Sequence, residues 1–195
     1  MKGVNYIYLF RHGQTTYNRD KKFTGWQDPP LTRLGKKHAS IIAKKLKNKR
    51  FEIAFQSSLK RSKDTLKEVI KCHPECRKVI TDERIRERNY GSLNGLSHEQ
   101  FIKRFGNERF DKIHRDFKTR PPQGESFADV EKRVHSFIKD IIKIIKKDKI
   151  NIAISAHGNS IRLFRKIIEK ASIKETCSWT IPYDQVFTYK IKTVL

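Results

Sequence analysis

Cysteine is scarce in this chain of 195 residues, with three in all: Cys72, Cys76 and Cys177. An odd, small number argues against a disulfide framework and suits a reducing cytoplasm. Cys72-His73-Pro74-Glu75-Cys76 resembles half of a zinc site, but no second ligand pair at suitable spacing accompanies it, so no metal is expected. A long apolar stretch is missing from the N-terminus. The run from Val4 to Phe10 is ended by Arg11 and His12, too short for a membrane span and without a small-residue cleavage site. The expectation is a soluble, cytoplasmic protein with no membrane partner. Internal repeats and low-complexity segments are also lacking, and the length suits one domain over 1–195, or a domain with one sizeable insertion.

Acidic residues are outnumbered, 21 against 44 lysines and arginines, giving a formal net charge of +23. Such a field favours anionic partners: phosphorylated metabolites, nucleic acid or an acidic membrane face. The lysines, among them Lys36, Lys37, Lys44, Lys45, Lys139, Lys143, Lys146 and Lys147, are scattered over several predicted helix faces. No nucleic-acid module and no interleaved aromatic and basic stripe accompanies them, so the charge reads as a solvated surface and no specific nucleic acid is expected. The 36% of hydrophobic residues supplies a real core and speaks against disorder.

The apolar pattern alternates between strand and helix. Val4 to Phe10 is β-branched and aromatic and reads as a buried strand that ends at Arg11-His12-Gly13. Thr32 to Lys49 turns helical, with Thr32 as N-cap and Leu34, Ile42, Ala43 and Leu46 as its apolar face. Phe51 to Phe55 is a second strand, followed by a helix through Leu59, Leu66, Val69 and Ile70, then a third strand over Lys78 to Thr81. Asp82 to Gln123 is polar and mixed, with short helical stretches around Glu99–Phe105 and Glu108–Phe117, and it reads as a lid insertion over one end of the sheet. From Phe127 to Ile145 apolar residues recur at three- and four-residue steps, a clear amphipathic helix. Ile150 to Ser155 is a strand ended by Ala156-His157-Gly158, a helix follows from Ser160, and Gln185 to Ile191 alternates like a final strand. The alternation predicts a three-layer α/β/α sandwich with a mostly parallel central sheet.

Two strands therefore end alike, in an apolar run followed by His-Gly. Ligands of open α/β sheets bind at such carboxyl ends, and glycine lets the backbone approach them. Arg11 adjoins the first histidine and Arg61 opens the helix after Ser57-Ser58. Guanidinium groups bind phosphate bidentately and keep their charge, while a neutral imidazole of fixed direction can attack phosphorus. Glu87 stands on the lid segment between Arg86 and Arg88. A carboxyl near a dianionic phosphate has its pKa raised, which suits it to protonate a leaving oxygen.

Arg11-His12-Gly13 with Asn18, Ser58-Leu59-Lys60-Arg61, Glu87 to Leu96, and Ala156-His157-Gly158-Asn159-Ser160-Ile161-Arg162 occur in this order. Together they resemble the signatures of the histidine phosphatase superfamily. The likeness runs essentially end to end and is nearest to the cofactor-dependent phosphoglycerate mutases, whose segment after the first signature is similar to Phe23-Thr24-Gly25-Trp26, Leu31-Thr32 and Gly35. The resemblance implies that His12 carries phosphate and Glu87 is the general acid and base, with Arg11, Arg61 and His157 completing the phosphate pocket. It further implies that Asn18, Thr24, Gly25, Arg88, Tyr90, Gly158 and Asn159 hold the substrate, that no metal takes part, and that 2,3-bisphosphoglycerate primes a mutase. The family includes monomers, dimers and tetramers, which allows a homo-oligomer.

The chain also departs from the mutases. His98 falls where they usually have a lysine, and His114 where they have the first of two arginines, of which Arg115 keeps the second. Ile181-Pro182-Tyr183-Asp184 lacks the usual Thr-Gly after the proline. A mutase that interconverts 3- and 2-phosphoglycerate is the leading expectation, with a broad-specificity phosphomonoesterase as the alternative. A basic protein that binds nucleic acid or anionic lipid on the same scaffold is a third, more remote one.

Overall fold

The computed structural model describes residues 3–193. In chain order these form β1 (Gly3–Arg11), α1 (Thr16–Arg19), α2 (Arg33–Leu46), β2 (Ile53–Gln56), α3 (Lys60–Ile70) and β3 (Lys78–Thr81). Two 3-10 turns follow at Glu83–Ile85 and Gly91–Leu93. Then come α4 (His98–Phe105), α5 (Asn107–Arg115), α6 (Phe127–Asp148), β4 (Ile152–Ala156), α7 (Gly158–Glu169), α8 (Ile173–Ser178) and β5 (Val186–Thr193).

The strands make one sheet in the order β3-β2-β4-β1-β5. β1, β2, β3 and β4 run parallel, and β5 pairs antiparallel to β1. Parallel neighbours require crossover connections, which the helices provide. The strand period of two sorts side chains to opposite faces. Ile7 and Leu9 of β1 enter a core with Phe127, Phe137, Ile141 and Ile145 of α6 and Leu163 and Phe164 of α7. Tyr8 and Phe10 enter the opposite core with Ile42 and Leu46 of α2 and Leu66 and Val69 of α3. The result is the three-layer α/β/α architecture. Burying one such aliphatic or aromatic side chain contributes about 1.5–3 kcal/mol.

Local chemistry sets the helix ends. Ser126 accepts from the Asp129 N–H while the Asp129 carboxylate accepts from the Ser126 N–H, a reciprocal cap at the start of α6. Thr32 caps α2 by accepting from the Gly35 N–H. One face was assigned differently from the sequence: Leu34 is 48% exposed, and the buried stripe of α2 is Gly35, Ala39, Ile42 and Leu46. Leu34 lies one residue off that stripe, about 100° round the helix. α7 starts at Gly158, two residues before the expected Ser160, and neither α1 nor α8 was anticipated. No helix among the described residues is long and apolar enough to cross a membrane. α4 and α5 bury Phe101 and Ile113 against Phe23, Tyr90 and Leu93 in a third, smaller core.

Candidate active site

β1 and β4 are adjacent and in register, with Phe10 beside Ser155 and Arg11 beside Ala156. His12 and His157 therefore leave the sheet side by side, and their ring centroids stand 4.9 Å apart. The His12 N–H reaches across to the Ala156 carbonyl at 3.0 Å. Behind it the chain passes so close to α2 that a β-carbon on Gly13 would stand 2.1 Å from the Gly35 carbonyl oxygen.

The His12 ring has a fixed direction. Its Nδ1 lies 2.7 Å from the Gly13 carbonyl oxygen. A carbonyl only accepts, so the network assigns the proton to Nδ1 and leaves Nε2 unprotonated. Arg61 Nε donates to that Nε2 at 3.3 Å. Burial, then the Arg61 and Arg11 charges, hold the His12 pKa well below its ordinary 6.5. The ring is accordingly a neutral imidazole at physiological pH, the nucleophilic form.

The cations around it are held by main-chain oxygens. Arg61 gives Nη1 to Gln27 O at 2.7 Å and Nη2 to Gly25 O at 2.8 Å. Burial lowers its pKa to about 10, which still leaves it charged at neutral pH. Gly25 has φ +47, and a β-carbon there would stand 2.0 Å from Asn94 Oδ1, so this carbonyl is aimed by a backbone that excludes other residues. Arg11 gives Nη1 to Ile181 O at 2.7 Å, and its buried Nε has no partner among the described residues. His157 Nε2 lies 2.7 Å from Ser57 Oγ, and its buried Nδ1 is likewise unpartnered. Burial and Arg61 also push the His157 pKa well below the usual value.

Glu87 completes the ring. Its Oε1 accepts the N–H groups of Arg88 at 2.8 Å and of Asn159, in the first turn of α7, at 3.0 Å. Its carbonyl accepts from Trp26 Nε1 and from Arg133, which also binds the Arg84 and Arg86 carbonyls and pairs with Glu125. Arg133 thus ties the loop that carries Glu87 to α6. Arg11, His12, Arg61 and Glu87 line one cavity of about 220 Å³, together with Asn18, Thr24, Gly25, Tyr90, His98, His114, Arg115, Gly158 and Asn159.

Residues 7–192 match the family model of the histidine phosphatase superfamily (branch 1). The chain belongs to the histidine phosphatase superfamily. A phosphoglycerate mutase of Schizosaccharomyces pombe is 37% identical over 163 residues, covering 81% of this chain and 76% of that protein. A 2,3-bisphosphoglycerate-dependent phosphoglycerate mutase of Pseudoalteromonas atlantica is 29% identical over 219 residues, covering 98% and 96%. Among solved structures, a mycobacterial glucosyl-3-phosphoglycerate phosphatase in complex with VO3 is similar at a TM-score of 0.78 and 26% identity, covering 89% and 86%.

His98 and His114, two of the residues that line the cavity, form an aromatic wall with Phe23. His98 and His114 stack edge to face at 4.7 Å and both lie against Phe23. Burial pushes the His98 pKa down, and burial, helped by His98 and three arginines, lowers that of His114 to about 3. Neither ring supplies positive charge at neutral pH. Lys22, Arg115 and Arg162 supply it instead, since all three line the same cavity. Arg162 keeps a pKa of about 10 and binds Asn159 Oδ1 at 2.6 Å.

One expected substrate residue stands elsewhere. Arg88 is fully buried, donates to the Glu125 and Thr119 carbonyls, and lies over the Phe127 and Tyr90 rings. It does not line the cavity. Its charge reads locally as a ligand contact but is spent inside the fold. The sequence does not single out Lys22 and Arg162, which line the cavity, or Arg133, which holds the loop of Glu87. Arg162 sits three residues after Asn159 on α7, a spacing that places both on one helix face and could have flagged it. Lys22 carries no comparable local signal.

Proposed function

We propose that this protein is a phosphoglycerate mutase that interconverts 3-phosphoglycerate and 2-phosphoglycerate through a phosphohistidine on His12, with 2,3-bisphosphoglycerate as the primer that loads it. The observation that carries the reading is the unprotonated Nε2 of a neutral His12, which stands beside His157 and shares one cavity with Arg11, Arg61 and Glu87 and with the further cations Lys22, Arg115 and Arg162. The likeness to phosphoglycerate mutases supports the mutase in particular.

In this mechanism His12 Nε2 attacks phosphorus and the bond to the substrate oxygen breaks, while Glu87 as a carboxylic acid gives that oxygen its proton. In the return step the carboxylate takes a proton from the acceptor hydroxyl as the phosphoryl group leaves the histidine. Arg61, the unpartnered Arg11 Nε and the unpartnered His157 Nδ1 are donors for the equatorial oxygens, where charge spreads in the transition state. Lys22, Arg115 and Arg162 would bind the carboxylate and the second phosphate. The partner in this scheme is a small phosphorylated metabolite, and the place of action is the cytoplasm.

The neutrality of His98 and His114 favours a second reading, a phosphatase. A mutase must retain a highly anionic intermediate and keep water out, and two uncharged rings weaken that hold. Its support among relatives is the likeness to the glucosyl-3-phosphoglycerate phosphatase. Incubation with 3-phosphoglycerate, with and without 2,3-bisphosphoglycerate, separates the two. Primer-dependent appearance of 2-phosphoglycerate supports the mutase, and release of inorganic phosphate from many monoesters replaces it with the phosphatase.

A further inference from the structure

The stretch from Cys177 to Asp184, which runs from the last turn of α8 to just before β5, holds three of the cavity's arginines by its carbonyls. Cys177 O accepts Arg115 Nη1 at 2.8 Å, Trp179 O accepts Arg162 Nε at 3.0 Å and Nη2 at 2.7 Å, and Ile181 O accepts Arg11 Nη1 at 2.7 Å. Two residues further on, the Tyr183 ring lies 4.0 Å from the guanidinium carbon of Arg11, and its centroid is 6.4 Å from that of His12. The ring is itself held. It stacks parallel to His38 at 5.1 Å, and Lys45 Nζ binds the neighbouring Asp184 carbonyl at 2.6 Å.

Arg11 has one hydrogen bond, through Nη1, and a buried Nε with none among the described residues. A planar guanidinium pinned at one corner keeps a rotation about its bond to the chain, so a single carbonyl does not fix the direction of Nε–H. A ring against its face does, because stacking favours one plane. We propose that Tyr183 is a positioning residue that fixes the plane of Arg11 and so aims its free Nε–H at the phosphoryl group. This rests on Arg11 contacting the transferred group, as in the function proposed above. It also gives a physical use to the Ile181-Pro182-Tyr183-Asp184 run, in which the chain departs from its mutase relatives.

The test is orthovanadate affinity by tryptophan fluorescence, with the rate of phosphohistidine formation in parallel. Tyr183→Phe keeps the ring and should retain wild-type affinity. Tyr183→Leu should weaken orthovanadate binding about tenfold, the size of a desolvated cation–π contact, with its urea midpoint near that of the wild type. In an Arg11→Ala background the same Leu substitution should add nothing, which a merely structural role would not produce. Tyr183→Met serves in the same way if the leucine variant does not fold. Equal affinity of the ringless variants, or a tenfold loss that persists without Arg11, overturns the proposal. Absence of phosphohistidine in the wild type defeats the functional reading instead, and the vanadate comparison still judges Tyr183.

Discussion

Acid should destabilise this protein well above the pH at which carboxylates titrate, and His114 allows the size to be worked out. Its pKa is 6.5 when unperturbed and about 3 in the fold. Between those values the unfolded chain binds a proton that the folded one refuses, so stability rises with pH and is lost as pH falls through 6.5. From pH 7 to pH 5 the loss at this one ring is about 2 kcal/mol, from roughly 1.4 kcal/mol for each unit below the unfolded pKa. His12 and His157 are buried neutral for the same reason and act in the same direction. A typical domain has only about 5–15 kcal/mol in total, so acid sensitivity should be marked. The assay is urea unfolding at pH 7, 6 and 5, followed by tryptophan fluorescence. His114→Leu should be at least as stable as wild type at pH 7, because the ring's buried Nε2 has no partner among the described residues. Its loss between pH 7 and pH 5 should be smaller by about 2 kcal/mol. Parallel losses in the two proteins would refute the account of His114 as a desolvated, neutral ring.

Four further variants test the same geometry. His12→Ala should abolish phosphoenzyme formation from labelled 2,3-bisphosphoglycerate, and Glu87→Gln should slow turnover by roughly a hundredfold or more; near-normal rates in either variant would remove that residue from its role. His114→Arg puts a permanent charge on the cavity lining and should tighten 2,3-bisphosphoglycerate binding about tenfold, the effect of one charged hydrogen bond, while raising the ratio of mutase to phosphatase turnover. An unchanged ratio would place His114 outside the substrate's reach. Gly13→Ala forces a methyl group against the Gly35 backbone at 2.1 Å and should prevent stable folding, which thermal melting would reveal.

The layers and both strand tips were legible because β-branched and aromatic runs end abruptly at Arg11-His12 and Ala156-His157. The long apolar period of α6 was equally plain. α1, one turn long, and α8, six residues long, are too short for a period to register, although Ser172 and Glu175 form a cap at the start of α8. Leu34 is apolar but exposed, because the tight approach of Gly35 to Gln14, with buried Ala39 on the same side, decides which side of α2 faces inward. In the site, His12, Arg61, Glu87 and Asn159 come together from four separate signature runs, although Arg88, on the same run as Glu87, does not join them. What the sequence hid depends on distant packing: Arg88 turns inward, Arg133 reaches back from α6 to the loop of Glu87, and Tyr183 meets Arg11 from the far end of the chain.

β4 occupies the middle of the sheet, between β2 and β1, and pairs Leu9 with Ile154. That pairing closes a very long loop, whose entropy is recovered only when the strand is seated. Before Ile152 to Ala156 slot in, a nascent chain has one imidazole and no facing wall. Affinity for phosphate should therefore be acquired last, as the centre of the sheet is filled, and in a refolding experiment it should trail the burial of Tyr8, Phe10 and Phe51 against α2 and α3.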